Sequence, residues 1–393
     1  MAESTIIARV LASPLEVDAT AWNTLLAQQN NPTPFMRHEY LAALHESGSA
    51  TPRTGWTPRF MTLWDGDALV AACPLYLKSH SYGEYVFDWA WASAYEQHGV
   101  PYYPKAVVAV PFTPVPGSRL LARDAAARAL LVQAVCQWCE QEGVSSVHVL
   151  FASDEDVQTS AQQDLMLRHT VQFHWKNDHY PDFDHFLASL SQDKRKKIRQ
   201  ERRRVADAGV TFRWSRGANI RADDWDFFYR CYERTYLEHG NPPYLTRDFF
   251  ARMAAHMPEA WLLFVAERGG QPIATSLIAI GADESSASGQ KDQNLVVYGR
   301  YWGALARVDC LHFEACYYQP LAWCIAHGVA RFEGGAQGEH KMARALLPVQ
   351  ATSAHWLAHP AFADAVERFL QREGAGVAGY LHELQARSPF KAA

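Results

Sequence analysis

One short pattern occurs twice in this chain. WCEQEGV at residues 138–144 returns as WCIAHGV at residues 323–329. An amphipathic, helix-like run precedes each copy, Ala125–Glu142 in the first and Leu311–His327 in the second. In both, a glycine (Gly143, Gly328) follows where a left-handed C′ residue would close the helix, and a short apolar strand comes next, Val147–Phe151 or Val329–Phe332. Upstream, RFMTLWDGDALVAACPLYLK (Arg59–Lys78) is matched by WLLFVAERGGQPIATSLIAIG (Trp261–Gly281). Each is two apolar runs joined by a dipeptide, Asp65-Gly66 or Gly269-Gly270, that tolerates the positive φ of a tight hairpin. The order hairpin, strand, helix, glycine, strand therefore appears twice, and it predicts two diverged copies of one α/β unit.

The first copy is predicted to add helices at Thr20–Gln29 and His38–Glu46, and the second at Gln192–Ala208, Ala222–His239 and Thr246–Met257. Pro320 falls inside the second repeat's helix pattern and predicts a kink or break there. The boundary is placed between Ala152 and His185, which divides the chain into domains 1–165 and 166–393. A length of 393 residues agrees with two cores, and 48% hydrophobic with 20% charged residues is a globular composition. The N-terminal MAESTIIARV lacks a basic n-region and an apolar core, and no run approaches the roughly 20 apolar residues of a membrane helix. Seven cysteines without framework spacing suit reduced thiols, so a cytoplasmic protein is expected.

Charge is unevenly spread. The chain carries −5 overall, yet Lys194–Arg204 (KRKKIRQERRR) sets eight cations against one Glu. Leu190, Ile198 and Val205 form a stripe that can dock this helix and leave its cations outward. Three readings stay open: a solvated face, a contact for phosphates of tRNA, coenzyme A or a nucleotide-linked acceptor, or a contact with anionic lipid.

Six further stretches carry a family resemblance: Phe87–Lys105, Ala109–Leu121, Lys194–Arg202, Tyr298–Ala304, Leu311–Gln319 and Phe332–Pro348. In them the chain resembles the FemAB-like family of predicted N-acyltransferases, named for peptidoglycan biosynthesis or recognition. That resemblance implies an α/β (α+β) fold of two tandem GNAT-like, acyl-CoA N-acyltransferase-type lobes, each a twisted, mostly antiparallel sheet flanked by helices. It implies an N-acyltransferase of the Fem type. The donor would be acyl-CoA or aminoacyl-tRNA acting as co-substrate, with no tightly bound cofactor. The acceptor would be an amine on a small molecule or cell-wall precursor. A non-catalytic protein that binds such a precursor or a phosphate-bearing ligand is the other reading.

Acyl transfer to an amine needs a proton acceptor, a proton donor for the leaving group and polarisation of the carbonyl. Glu339 and His340, in the loop after the last apolar strand, are the preferred proton carriers, with Glu314 and His312 at a helix start as the second pair. Gln337, Lys341 and Arg344 of that loop, together with Tyr298, are candidate substrate contacts. Asp88, Tyr103 and Lys105 are others, within an aromatic-rich block that reads equally as packed core. Gly117, Ser118 and Arg119 occupy the position of a phosphate loop in the first lobe, although three nearby prolines make a rigid connection an equal alternative. Glu314 can equally serve to complement the helix dipole, and the glycine loop can be an ordinary solvated turn. Cys136 and Cys139 lack a second ligand pair, and the histidines show no metal spacing, so no metal site is expected.

Overall fold

A computed structural model describes residues 6–282, 295–336 and 338–391. In chain order it begins with β1 (Ile6–Leu11), α1 (Ala19–Ala27) and α2 (His38–Glu46). Next come β2 (Trp56–Pro58), β3 (Phe60–Asp65), β4 (Ala68–Cys73) and β5 (Leu75–Lys78). They are followed by α3 (Trp89–Gln97), β6 (Lys105–Val108), β7 (Leu121–Ala122), α4 (Ala125–Gln141), β8 (Ser146–Ala152), α5 (Asp154–Gln162) and β9 (Met166–Lys176). The second half holds α6 (Phe183–Ser189), α7 (Gln192–Asp207), β10 (Val210–Arg216), α8 (Ala222–Glu238), α9 (Arg247–His256), β11 (Trp261–Arg268), β12 (Gln271–Ala282) and β13 (Leu295–Ala304). A helix from Leu311 to Ala326 then leads to β14 (Arg331–Ala336), β15 (Leu347–Leu357) and α12 (Pro360–Ala386); its final segment, Gln319–Ala326, is α11, and a short α10 (Leu311–Phe313) opens it.

The chain forms two compact units, residues 1–170 with 350–380 and residues 171–349 with 381–393. A single cut at 165/166 therefore describes only the first crossing: 350–380 belongs with the first unit. The repeat is visible element by element. β1, α1, α2, the β3–β4 hairpin, β6, α4 and β8 have counterparts in β10, α8, α9, the β11–β12 hairpin, β13, the Leu311–Ala326 helix and β14.

In the first unit β1, β3, β4 and β7 pair antiparallel. Pro74, which has no N–H for a ladder, separates β4 from β5, and β5 leaves to pair with β2 and β6. β6 then runs parallel to β8, which pairs antiparallel with β15. Met61, Val70, Leu75, Leu131, Val135 and Val149 are among the buried residues that pack α4 onto these strands. In the second unit the order is β10-β11-β12-β13-β14-β9, antiparallel except for the parallel pair β13–β14. The Leu311–Ala326 helix covers one face through Tyr318, Leu321 and Cys324 against Phe264, Ile278 and Phe332. Each unit is a GNAT-like lobe in which one parallel pair interrupts antiparallel neighbours, and in the first unit β1, β3, β4 and β7 form a sheet separate from that of β2, β5, β6 and β8.

Both predicted hairpins form, with Gly66, Gly269 and Gly270 at positive φ, and both predicted helix-closing glycines are left-handed. Three local features add to this picture. The polar segment after Ala152 is helix α5, capped by the Ser153 hydroxyl. The approach to the basic helix is a separate helix, α6, capped by Asp182. The expected irregularity at Pro320 takes the form of a change of helix type: Pro320 sits in the first turn of α11, and the preceding Glu314–Tyr318 is wound as a π-helix. The wider turn stands where proline has no N–H to give, and both are recognised sources of irregularity in a helix. Among the described residues no helix is long and apolar enough to cross a membrane, and no cluster of His, Cys, Asp and Glu could hold a metal.

Candidate functional site

The parallel pair is the natural place for a cleft in each unit, because parallel strands that part beyond their last bond expose backbone on both sides. In the first unit the pairing ends at Val108 and Val149. The space beyond is filled by the protein itself. Gly117 bridges to Ala152, and its N–H donates to Phe151 O at 3.1 Å. The Ser118 N–H donates to Asn31 O, and the Arg119 and Leu120 N–H groups donate to the Asp156 carboxylate at 2.5 and 3.2 Å. The Arg119 guanidinium is buried and bonds the carbonyls of Leu150 and Val115. A side-chain carboxylate thus already occupies the place where a ligand phosphate was expected, and the Gly117-Ser118-Arg119 loop is a structural connection here.

In the second unit the wedge stays open. Pairing of β13 with β14 ends at Tyr298 and Glu333. A bulge at Arg300 bends β13 against β12 just beyond that point. The pocket in the wedge measures about 140 Å³ and is lined by Ser276, Gly299, Trp302, His312, Cys316 and Tyr317, among others. Gly334 also lines it, and its lack of a side chain is a packing requirement: a Cβ there would collide with Leu346 and crowd Phe173 O.

Of the predicted residues His312 lines this pocket, and His340, Lys341 and Arg344 stand near it. The His312 ring lies edge-on to Trp302 and to Tyr317, with centroids 5.4 and 5.7 Å apart. His340 Nε2 is 3.3 Å from Tyr317 Oη. Burial is the main reason the His312 pKa falls to about 4, helped by neighbouring His340, Arg344 and Lys341, so its imidazole is neutral at pH 7. Lys341 is buried, donates to Gly335 O and Ala336 O at 3.2 and 2.8 Å, and is lowered by burial to about 8. Arg344 lies with its guanidinium carbon 3.6 Å from the Phe313 ring centroid and donates to Glu201 of α7 at 2.8 Å and to His340 O at 2.6 Å. It therefore fixes the His340 backbone.

The others stand elsewhere. Glu314 is buried and accepts from Arg202 Nε at 3.2 Å and Gln319 Nε2 at 2.7 Å, which ties the π-helix to α7. Burial raises its pKa, with Arg202 opposing. Glu339 is exposed, 3.5 Å from Arg387. Tyr298 is buried beside Glu333, on the sheet position cross-paired to Ala279. Gln337 lies outside the described residues. The loop expected at Gly334–Lys341 begins as strand, since β14 continues to Ala336, and ends as a 3-10 turn. Sequence reasoning missed Tyr317 and Cys316, which lie in the π-helix and line the pocket.

Asp88, Tyr103 and Lys105 meet in the first unit, in a buried polar cluster. Lys105 Nζ donates to Glu84 Oε2 at 2.7 Å, to Ser81 Oγ at 2.8 Å and to Asp88 Oδ2. Tyr102 donates to Asp88 at 2.6 Å, and Tyr103 Oη sits 2.8 Å from Ser81 Oγ. His148 joins through Tyr102 at 3.3 Å and pairs with His355, Nδ1 to Nδ1, at 2.7 Å. Burial above all raises Glu84 to about 7 and lowers Lys78, its neighbour on β5, to about 7, so the cluster is close to neutral.

A second pocket in the C-terminal unit, about 610 Å³, is lined by Arg204, Arg268 and Arg307 with Asp207 and Asp309. It adjoins the end of α7 and the loop that enters the Leu311 helix.

Comparison with known proteins supports the fold. The structure titled FemX aligns over 89% of this chain and 98% of its own, with 10% identity and a TM-score of 0.53. The C-terminal DUF2156 domain of a lysylphosphatidylglycerol synthetase from Agrobacterium fabrum aligns over 92% and 97%, with 10% identity and a TM-score of 0.51. L-PGS from Bacillus licheniformis aligns over 90% and 97%, with 12% identity and a TM-score of 0.50. No curated protein matches the sequence. The profile described as FemAB-like, peptidoglycan biosynthesis/recognition, matches residues 13–392, and by that match over nearly its whole length this chain belongs to the FemAB-like family.

Proposed function

We propose that this protein is an N-acyltransferase that moves an acyl or aminoacyl group to an amine, and that transfer takes place in the β13–β14 wedge of the second unit. The observation that carries the reading is the contrast between the two units. The wedge of the first is closed by Gly117–Arg119 and Asp156, whereas that of the second is open and lined by His312 and by Tyr317, whose hydroxyl meets His340. Family membership, in a family described by peptidoglycan biosynthesis, favours a cell-wall precursor as the acceptor.

The chemistry needs little. The amine nitrogen attacks the acyl carbonyl, the ester or thioester bond breaks, and one proton must pass from nitrogen to the leaving group. Neutral His312 accepts the proton from the attacking nitrogen, directly or through one water. The Tyr317 hydroxyl, held in place by His340, donates to the leaving sulfur or oxygen. Burial keeps that phenol protonated, because it pushes the pKa well above its usual value. The Arg204, Arg268 and Arg307 pocket would take phosphates of the donor, either coenzyme A or the end of a charged tRNA.

The test is acyl transfer from acetyl-CoA, and separately from alanyl-tRNA, to a panel of amines. Tyr317→Phe and His312→Gln are each expected to lower kcat by about 10²-fold, typical of a lost proton carrier. Arg307→Ala should raise the KM for the donor and weaken its salt dependence. If neither donor supports transfer nor stabilises the protein against heat, the non-catalytic binding reading replaces this one.

A further inference from the structure

Residues 81–89 of the first unit are turned inside out. Ser81, Glu84 and Asp88 point inward to Lys105, while Tyr82, Tyr85, Phe87 and Trp89 face solvent with 59, 37, 56 and 43% exposure. Charged groups are ordinarily left in water and aromatic rings removed from it. Here the buried lysine takes both carboxylates, and alternation along the segment then drives the rings outward. Four large rings exposed within eight residues form a surface patch that folding alone does not explain.

One of these rings, that of Trp89, lines a surface pocket. This pocket of about 530 Å³ lies between Trp89, Ser93 and Glu96 of α3 and its N-terminal edge, and the Val100–Tyr103 segment that includes Tyr102 and Tyr103. That volume is in the range that holds a small organic ligand. Tyr82 extends the wall, its ring 5.1 Å from that of Trp89 and edge-on to it. Among the lining side chains Glu96 is the one carboxylate and there is no Lys or Arg. The Lys105 ammonium behind Tyr102 and Tyr103, 5.5 and 6.0 Å from their ring centroids, is matched by Glu84 and Asp88 and leaves no excess positive charge there.

Ring faces carry negative electrostatic potential, and so does a carboxylate. Three aromatic side chains and one Glu around a cavity therefore select for positive charge spread over an apolar body. We infer that this pocket binds an organic ammonium ion, with Trp89, Tyr102 and Tyr103 as its wall and Glu96 as its counter-charge. The site belongs to the first unit alone and does not depend on where, or whether, acyl transfer occurs.

The test uses the full chain, no acyl donor and physiological salt. Choline is titrated by calorimetry and by tryptophan fluorescence, beside its neutral isostere 3,3-dimethyl-1-butanol and methyl glucoside. Choline should saturate, with the isostere at least about tenfold weaker, in line with a desolvated cation–π contact. Trp89→Ala should remove binding, and Glu96→Gln should weaken it about threefold to tenfold. Both side chains are exposed, so the variants should melt as the parent does. Equal binding of choline and the isostere would mean a merely apolar pocket and overturn the assignment. Preference for methyl glucoside, or no saturable choline signal up to about 50 mM, overturns it as well.

Discussion

Single residues show how much of this protein's character depends on partners remote in sequence. Lys105 begins an apolar strand and reads as a candidate substrate contact, and it is fully buried against Glu84 and Asp88. His148 and His355 are 207 positions apart and share a hydrogen bond. No spacing rule brings such pairs to notice. Glu333 gives the clearest prediction at this scale. It ends the β13–β14 pairing, is buried, accepts from Arg331 Nε at 2.9 Å and stands 3.7 Å from His174 Nε2. Burial is the first cause of its rise from 4.5 to about 7, with Arg331 opposing. A carboxyl raised on folding contributes stability in full below its unfolded pKa, and that contribution disappears as pH climbs through the folded one. Between about pH 4.5 and pH 7 the parent should therefore lose on the order of 3 kcal/mol relative to Glu333→Gln, whose side chain never ionises. Urea melts of both proteins at pH 5, 6, 7 and 8 measure this. A gap that stays constant across that range removes Glu333 as the source.

Elements are where the sequence was most informative, and the reason is local. Hairpins, helix ends and strand starts are set by residues that touch one another along the chain. Ser191 and Gly209 bracket α7 as expected, although the Ser191 hydroxyl makes no cap bond. Pro320 removes an N–H, and the irregularity appears as a π segment over Glu314–Tyr318, whose Tyr317 and Tyr318 pack into the same core as Leu321 and Cys324 beyond it. β13 supplies a sharper test of packing. A Cβ at Gly303 would run into the backbone carbonyl of Cys231 on α8, which cannot move aside as a flexible side chain would. Gly303→Ala should cost about 3 kcal/mol, at the upper end for forced overpacking, and lower the melting temperature by several degrees. The same change at Gly143, where nothing lies within 4 Å, meets only the backbone cost of a positive φ, about 1 kcal/mol. Thermal melts that rank Gly143→Ala as the more damaging would show that the α8–β13 contact is looser than described.

At the scale of the whole molecule, the chain crosses between its units more often than a simple tandem array would. Residues 350–380 return to the first unit, where β15 pairs with β8 from Thr352–Ala152 to Leu357–Ser146 and Ala354 enters the core. Residues 1–165 alone should therefore leave one edge of β8 unpaired and take the His355 partner from His148 Nδ1, and should fail to give a cooperative thermal transition. Heating that fragment in a calorimeter is the check, and a sharp transition like that of the full chain would show that the segment is dispensable.

The duplication, the hairpins, most helices and the family were determined by the sequence alone, since all rest on local pattern or on likeness spread along the chain. Which wedge stayed open was decided only by tertiary structure. Asp156, on helix α5, takes the Arg119 and Leu120 N–H groups at the first, and Tyr317, in the π-helix, lines the second. A pocket is the space that packing leaves unfilled. Its contents depend on distances between residues far apart in the chain, and those distances exist only once the whole chain has packed.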